Sequence, residues 1–352
     1  MRRLWLLALV TLWTAGCMRN PDDPKTWLRQ INKSTFKREE ALVNLYRIHV
    51  MYSELAKQKG KDGARARKFL AKFRKVVNPV LVKTFDKKIN GKYVALDDIL
   101  SRLIEFEAAE AAPLFLRLIR EYTNGDIEKY GDEDTQEGLV AKAVEGLGRL
   151  AMQRKCPEEA LEALDQLVNR ICVKHSASKA LEETLDPRSF VRNAVVKAMP
   201  EIIKAFPEKR QVMGHMLATI LDYGFEKGEV QDPMVNIFAA RSLGDVGDIS
   251  PRTVRALVKC LYRKGRGRAF HPYCTVALAK LPDGPDGWHP AIPPLRLLVQ
   301  GDPWKRVLKQ LKKQKKTKEA EALQKQLKAG GTMPTCPDFI PTKYRYVCEI
   351  YW

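Results

Sequence analysis

Helical spacing recurs down this chain, and that recurrence restricts the fold more than any other feature. From Asp186 the sequence reads DPRSFVRNAVVKAMPEI, a turn signal followed by apolar residues at Phe190, Val191, Ala194, Val195 and Ala198. Residues three and four apart share one face of an α-helix, so this spacing predicts an amphipathic helix whose apolar stripe holds all five. Related text returns near residue 230 as VQDPMVNIFAARSLGDVGD and near 134 as DTQEGLVAKAVEGLGRL. The large apolar residue closing each pattern falls at Leu147, Met199, Leu243 and Leu278, at intervals of 52, 44 and 35 residues. Upstream, Lys37, Arg38, Ala41 and Leu45 stand in the same register, and Leu103 fits more loosely.

Second amphipathic stretches accompany these helices: AAPLFLRLIREY, PEEALEALDQLVNRI after Leu147, SPRTVRALVKCLYRK after Leu243 and IPPLRLLVQ after Leu278. Pro157, Pro251 and Pro294 sit near their starts, where a missing N–H leaves no bond unmade. One helical hairpin cannot bury its apolar face alone, so successive hairpins must stack into a continuous core. The expected fold is therefore all-α, an α-solenoid of about six hairpins over residues 25–300. Hydrophobic content of 45% is enough for a core, and 8% aromatic residues suit helices better than a many-stranded sandwich. Asp186-Pro187, Val191-Arg192, Ala194, Ala198 and Met199, and then Asp232-Pro233, Val235, Ala239, Ala240, Leu243 and Gly244, resemble the HEAT-like repeat. That resemblance implies paired helices and extended binding surfaces.

Beyond residue 300, Trp304, Val307, Leu308 and Leu311 form an apolar stripe resumed at Ala320, Leu323 and Leu327, which predicts basic capping helices over 301–331. Gly330 and Gly331 end them. In the tail, 332–352, Tyr344, Tyr346, Cys348 and Ile350 alternate as in a short strand, and a Cys336–Cys348 bridge would close it.

The N-terminus follows the order of an export signal, assigned to residues 1–16. Arg2 and Arg3 precede a ten-residue apolar run from Leu4 to Trp13, and small residues Thr14, Ala15 and Gly16 lead to Cys17. A run of that length is too short for a hydrocarbon core of about 30 Å. T-A-G-C resembles the lipobox of bacterial lipoproteins: Ala15, Gly16 and Cys17 match, while Thr14 stands where leucine is usual. The resemblance implies that Cys17 is acylated and becomes the mature N-terminus, with 17–24 as a linker. It further implies an envelope protein on the outer membrane facing the periplasm, since Met18 is not the aspartate associated with inner-membrane retention. Ordinary cleavage after Gly16 is the alternative. Setting Cys17 aside leaves an even six cysteines of seven, in local couples: Cys156 with Cys172, Cys260 with Cys274 and Cys336 with Cys348. Three disulfides are expected on that basis.

Charge narrows the partners. The chain carries +20, patterned in blocks. Lys57 to Lys92 holds thirteen basic residues against Asp62 and Asp86, Arg252 to Arg268 holds seven with no acid, and 301–331 holds ten against three. Asp97 to Glu137 is acidic, with twelve carboxylates against four cations. LYRKGRGRAFHPY is the strongest binding candidate, because Arg263, Lys264, Arg266 and Arg268 with nearby Tyr273 can grip carboxylate or phosphate. A protein partner, the membrane through the lipid anchor, and an anionic lipid or envelope polymer are the expected partners. Nucleic acid is disfavoured for an exported chain.

Catalytic motifs are sparse. G-x-S-x-G, H-E-x-x-H and the P-loop are absent. GLGRLA, from Gly146 to Ala151, satisfies a dinucleotide fingerprint in letters but sits at the end of a helical pattern, where the required strand is missing. Asp132, Asp134 and Gln136 have the wrong glycine and glutamate placement for a calcium loop and are expected in a solvated inter-helix loop. Cys172, His175, His271 and Cys274 have zinc-ligand spacing in two pairs, but disulfides are the preferred use of those cysteines in an exported protein. No cofactor or metal is expected. The expected role is a non-catalytic scaffold or adaptor. The alternatives are a lyase-type enzyme, since HEAT-like repeats also occur in bilin lyases, and a basic solenoid binding an anionic polymer or nucleic acid.

Overall fold

The computed structural model describes residues 20–172, 188–223, 233–261 and 270–283, with Lys318 and Glu321. Twelve helices make up these segments: α1 (Pro24–Leu28), α2 (Thr35–Lys57), α3 (Lys61–Phe85), α4 (Leu96–Glu105), α5 (Ala112–Asn124), α6 (Glu133–Met152), α7 (Glu159–Ile171), α8 (Ser189–Ala205), α9 (Arg210–Tyr223), α10 (Pro233–Val246), α11 (Pro251–Leu261) and α12 (His271–Lys280). The described residues are helical throughout apart from their connections, and one isolated antiparallel bridge joins Ile89 to Lys92. None of these helices is long and apolar enough to cross a membrane. The chain divides into two compact units, residues 1–114 and 115–352. The proposed 1–16 signal, Cys17, the capping helices of 301–331 and the 332–352 tail lie outside the described residues, apart from Lys318 and Glu321.

Helix starts follow local chemistry. Asp23, Ser34 and Asp132 each accept a hydrogen bond from a first-turn backbone N–H, satisfying donors that have no partner inside the helix. Asp132 takes Thr135 N at 3.0 Å and also the Thr135 hydroxyl. Asp132, expected in a solvated loop, is thus the cap of α6, and Asp134 and Gln136 lie in that helix. The acidic run continues into a helix N-terminus, where the backbone dipole favours carboxylates. Pro24, Pro233 and Pro251 each open a helix, as an N–H-less residue should.

In the first unit α2 packs on α3, and both contact α1 and α4. The buried face of α2 is Arg38, Ala41, Leu42, Leu45, Ile48 and His49. Arg38 is fully buried and donates to four oxygens: Nε to Ile31 O at 3.1 Å, Nη1 to Val94 O at 3.0 Å, and Nη2 to Asn32 Oδ1 at 3.1 Å and Lys87 O at 3.0 Å. Two of those carbonyls come from the loop after α3, which reverses at Asn90 and Gly91. Both have positive φ, the geometry that an Asn-Gly turn supplies. Burial lowers the tendency of Arg38 to hold its proton, and the four acceptors offset the cost of its charge. Nearby, His49 is packed against Phe73 and Phe106, with ring centroids 5.7 and 4.7 Å away, and its Nε2 is buried without a hydrogen bond.

In the second unit α6 packs on α8, α8 on α10 and α10 on α12, while α7 packs on α9 and α9 on α11. The six marker residues Leu45, Leu103, Leu147, Met199, Leu243 and Leu278 are all fully buried within their units. Arg192, seven residues before Met199 as Arg38 is before Leu45, is also fully buried. It donates to Ile171 O at the end of α7 at 2.7 Å and lies over the Tyr223 ring at 4.6 Å. Gly146 and Gly148, the glycines of the false dinucleotide fingerprint, are contact points in α6. A Cβ on Gly146 would lie 2.5 Å from Phe115 Cε2, and one on Gly148 would lie 3.0 Å from Ala198 Cβ.

Candidate functional site

An open groove of about 400 Å³ lies between α6 and α8. Its floor is made of small residues, Ala141, Gly148, Ala194 and Ala198, which follow from the close approach of the two helices at Gly148. Met152 closes α6 and Phe190 opens α8, and they are 54% and 65% exposed. Charged groups form the rim: Lys142, Glu145 and Arg149 from α6, and Lys197 and Glu201 from α8. Several already have local partners. Lys197 sits over the Phe238 ring at 4.9 Å, Glu201 pairs with Lys204 at 2.9 Å, and Arg149 Nη1 lies 3.8 Å from the Met152 sulfur. A small-residue floor with exposed apolar flanks and a charged rim suits the apolar side chains of a docked peptide segment.

Phe190 corrects the sequence expectation. It was placed in the apolar stripe with Val191, Val195 and Ala198, which are buried, but the ring stands in solvent. Phe190 lies in the first turn of α8, about 100° around the helix from the buried Val191, at the edge of the stripe. A doubled apolar pair at a stripe edge was the available signal for this groove.

The cysteines divide. Cys260, near the end of α11, and Cys274, in the first turn of α12, form a disulfide with a Cα–Cα distance of 6.3 Å, as their spacing predicted. Cys156 and Cys172 do not bridge one another. The thirteen-residue helix α7 lies between them. At about 1.5 Å per residue it holds its ends roughly 20 Å apart, far beyond the reach of a disulfide. Cys156 is instead a half-buried thiol that donates to Pro157 O at 3.7 Å, and burial pushes its pKa up to about 12. Cys336 and Cys348 fall outside the described residues. Cys274 is committed to its bridge, which removes it from the alternative Cys172, His175, His271 and Cys274 zinc set. No cluster of metal-ligating side chains occurs among the described residues.

Of the expected partner-binding residues, Arg263, Lys264, Arg266 and Arg268 lie outside the described residues. Tyr273 is half-buried in α12, and the Arg241 guanidinium lies 5.8 Å from its ring centroid. The basic block from Lys57 is largely a face of α3, where Lys61, Arg65, Lys68, Lys72 and Lys75 recur once per turn and are exposed.

Two polar groupings, one part-buried and one buried, have the residue types of reactive sites. His215 Nε2 lies 3.1 Å from Ser250 Oγ, which donates to Asp248 Oδ2 at 2.6 Å. The serine stands between the other two, whereas a nucleophilic triad needs the imidazole there. Asp248 also takes Ser250 N at 3.1 Å and Thr253 Oγ1 at 2.5 Å, so the group ties down the start of α11. In the other grouping, Tyr122 donates to the buried Glu137 at 3.0 Å, and Arg188 donates to the Tyr223 hydroxyl at 3.2 Å. Burial first, and then the Glu137 carboxylate, raise the Tyr122 pKa, so the phenol keeps its proton. Sequence periodicity did not reveal either group, because each is assembled from different helices.

No family model matches the sequence, and no curated protein matches it.

Proposed function

We propose that this chain is a lipid-anchored, non-catalytic envelope protein whose hairpins form an α-solenoid of HEAT-like repeats and serve as a scaffold for another protein. The solenoid reading is supported by the two series of successive helix contacts in the second unit, α6 to α12 and α7 to α11. The binding reading rests on the α6/α8 groove, where Phe190 and Met152 remain exposed beside a floor of alanine and glycine. A Cys260–Cys274 bridge supports export, because disulfides persist in oxidising compartments. The leader and Cys17 supply the anchoring part of the reading. An exposed basic face on α3 supports attachment to anionic lipid, at about 1 kcal/mol for each cation near the surface.

A lyase-type enzyme would need an open cleft with converging acidic and aromatic groups. Tyr122 and Glu137 have those side chains, but their burial and mutual bond favour a packing role.

A photo-cross-linking residue at Phe190, in the full chain in a bacterial envelope, tests the scaffold. A discrete protein captured there and not from exposed Glu162 on α7 supports it. The same products at both positions, or none at Phe190, overturn it. Cys17→Ala tests the anchor separately, with loss from the membrane fraction expected.

A further inference from the structure

The face of α2 opposite its buried side is unusually apolar. Phe36 is 68% exposed and Val43 61%, with Val50, Tyr46 and Met51 between 36% and 39%. Phe36, Val43 and Val50 are seven residues apart, which places them on one stripe of the helix, each about 20° around from the next. Charges edge the stripe on the side of Met51: Glu40, and seven residues later Arg47. Each has a partly exposed ion-pair partner within its own copy, Lys37 at 2.6 Å and Asp22 at 3.1 Å, and such pairs are weak enough to exchange.

We infer that α2 pairs with α2 of a second copy of this chain, antiparallel about a two-fold axis near Val43. In an antiparallel helix pair the same edge of each helix meets its counterpart. A two-fold between residues 43 and 44 sets residue i opposite residue 87 minus i. Glu40 then faces Arg47 of the second copy, and Arg47 faces Glu40, so the one contact closes twice as an isologous interface requires. Phe36 faces Met51 of the second copy, and the two Val43 side chains meet at the axis. Parallel pairing would set this edge against the opposite edge of the second copy, so Glu40 and Arg47 would not meet and both ion pairs would be lost. A membrane surface fits less well, because Glu39, Glu40 and Glu54 lie along this stripe, where an interfacial helix would carry lysine and arginine. The charge pattern is self-complementary instead.

Sedimentation of the full chain in mild detergent, with the mass of bound detergent subtracted, measures the assembly. Two chains per particle are expected for the wild type and one for Val43→Glu, with unchanged helical circular dichroism because Val43 is exposed. Glu40→Arg and Arg47→Glu should each weaken self-association at least roughly tenfold, because each places like charges together twice. The decisive arm mixes these two single variants. Their edges are opposite in charge throughout, so together they should form a mixed pair, and a chain carrying both changes should pair with itself again. A monomeric wild type, a dimer that survives Val43→Glu, or single variants that fail to pair on mixing overturns the assignment. Occupation of α2 by an unrelated protein in place of a second copy overturns it equally.

Discussion

Arg38 in the first unit and Arg192 in the second occupy the same register, seven residues before a buried marker, and both are fully buried. Their surroundings differ. Arg38 donates to four oxygens from two segments, the stretch before α2 and the loop after α3, while Arg192 reaches the end of α7 and lies over the Tyr223 ring. A buried guanidinium can tie the end of one segment to the next helix through backbone carbonyls and, at Arg192, also through an aromatic face. The register position therefore specifies a clasp, while local loops decide its partners.

The comparison can be broken in order of expected effect. Arg38→Leu strands four acceptors at once and should cost about 4 kcal/mol, read as a lowered unfolding midpoint in denaturant. Hydrogen exchange should show the loss concentrated over 24–105. In the second unit, reducing Cys260–Cys274 should cost about 3 kcal/mol through the freed unfolded chain, and thermal unfolding with and without reductant checks it. Acidification acts on the first unit. Burial first, and then Arg74, lower the His49 pKa from 6.5 to about 4. Between those values the unfolded chain takes up a proton that the folded chain refuses, so stability falls as pH drops from about 6.5 to 4, by about 2 kcal/mol. His49→Phe should flatten that slope. Arg192→Leu should cost about 1.5 kcal/mol, with slowed exchange lost first at the end of α7.

The repeat markers were legible because burial at the centre of an apolar stripe is set by period alone: Leu147, Met199, Leu243 and Leu278 needed no knowledge of neighbours. Stripe edges depend on what packs beside them, which is why Phe190 was misplaced. Cysteine spacing worked between α11 and α12 and failed along α7, since similar sequence distances can be short between two packed helices and are long along one helix. The roles of Arg38 and Arg192 were half legible. Their register was visible, but the carbonyls they bind come from loops and helix ends as far as 56 residues away. The groove was hidden for a similar reason, because its two walls belong to helices separated by α7.

A covalent bond between α11 and α12 also changes how the chain would carry tension. If it is held at one end and pulled from the other, force passes through the sulfurs and bypasses the peptide between Cys260 and Cys274. Those residues would otherwise lengthen the chain by roughly 40 Å when drawn taut. With the bridge closed that slack is withheld, so an oxidised chain is a shorter tether than a reduced one.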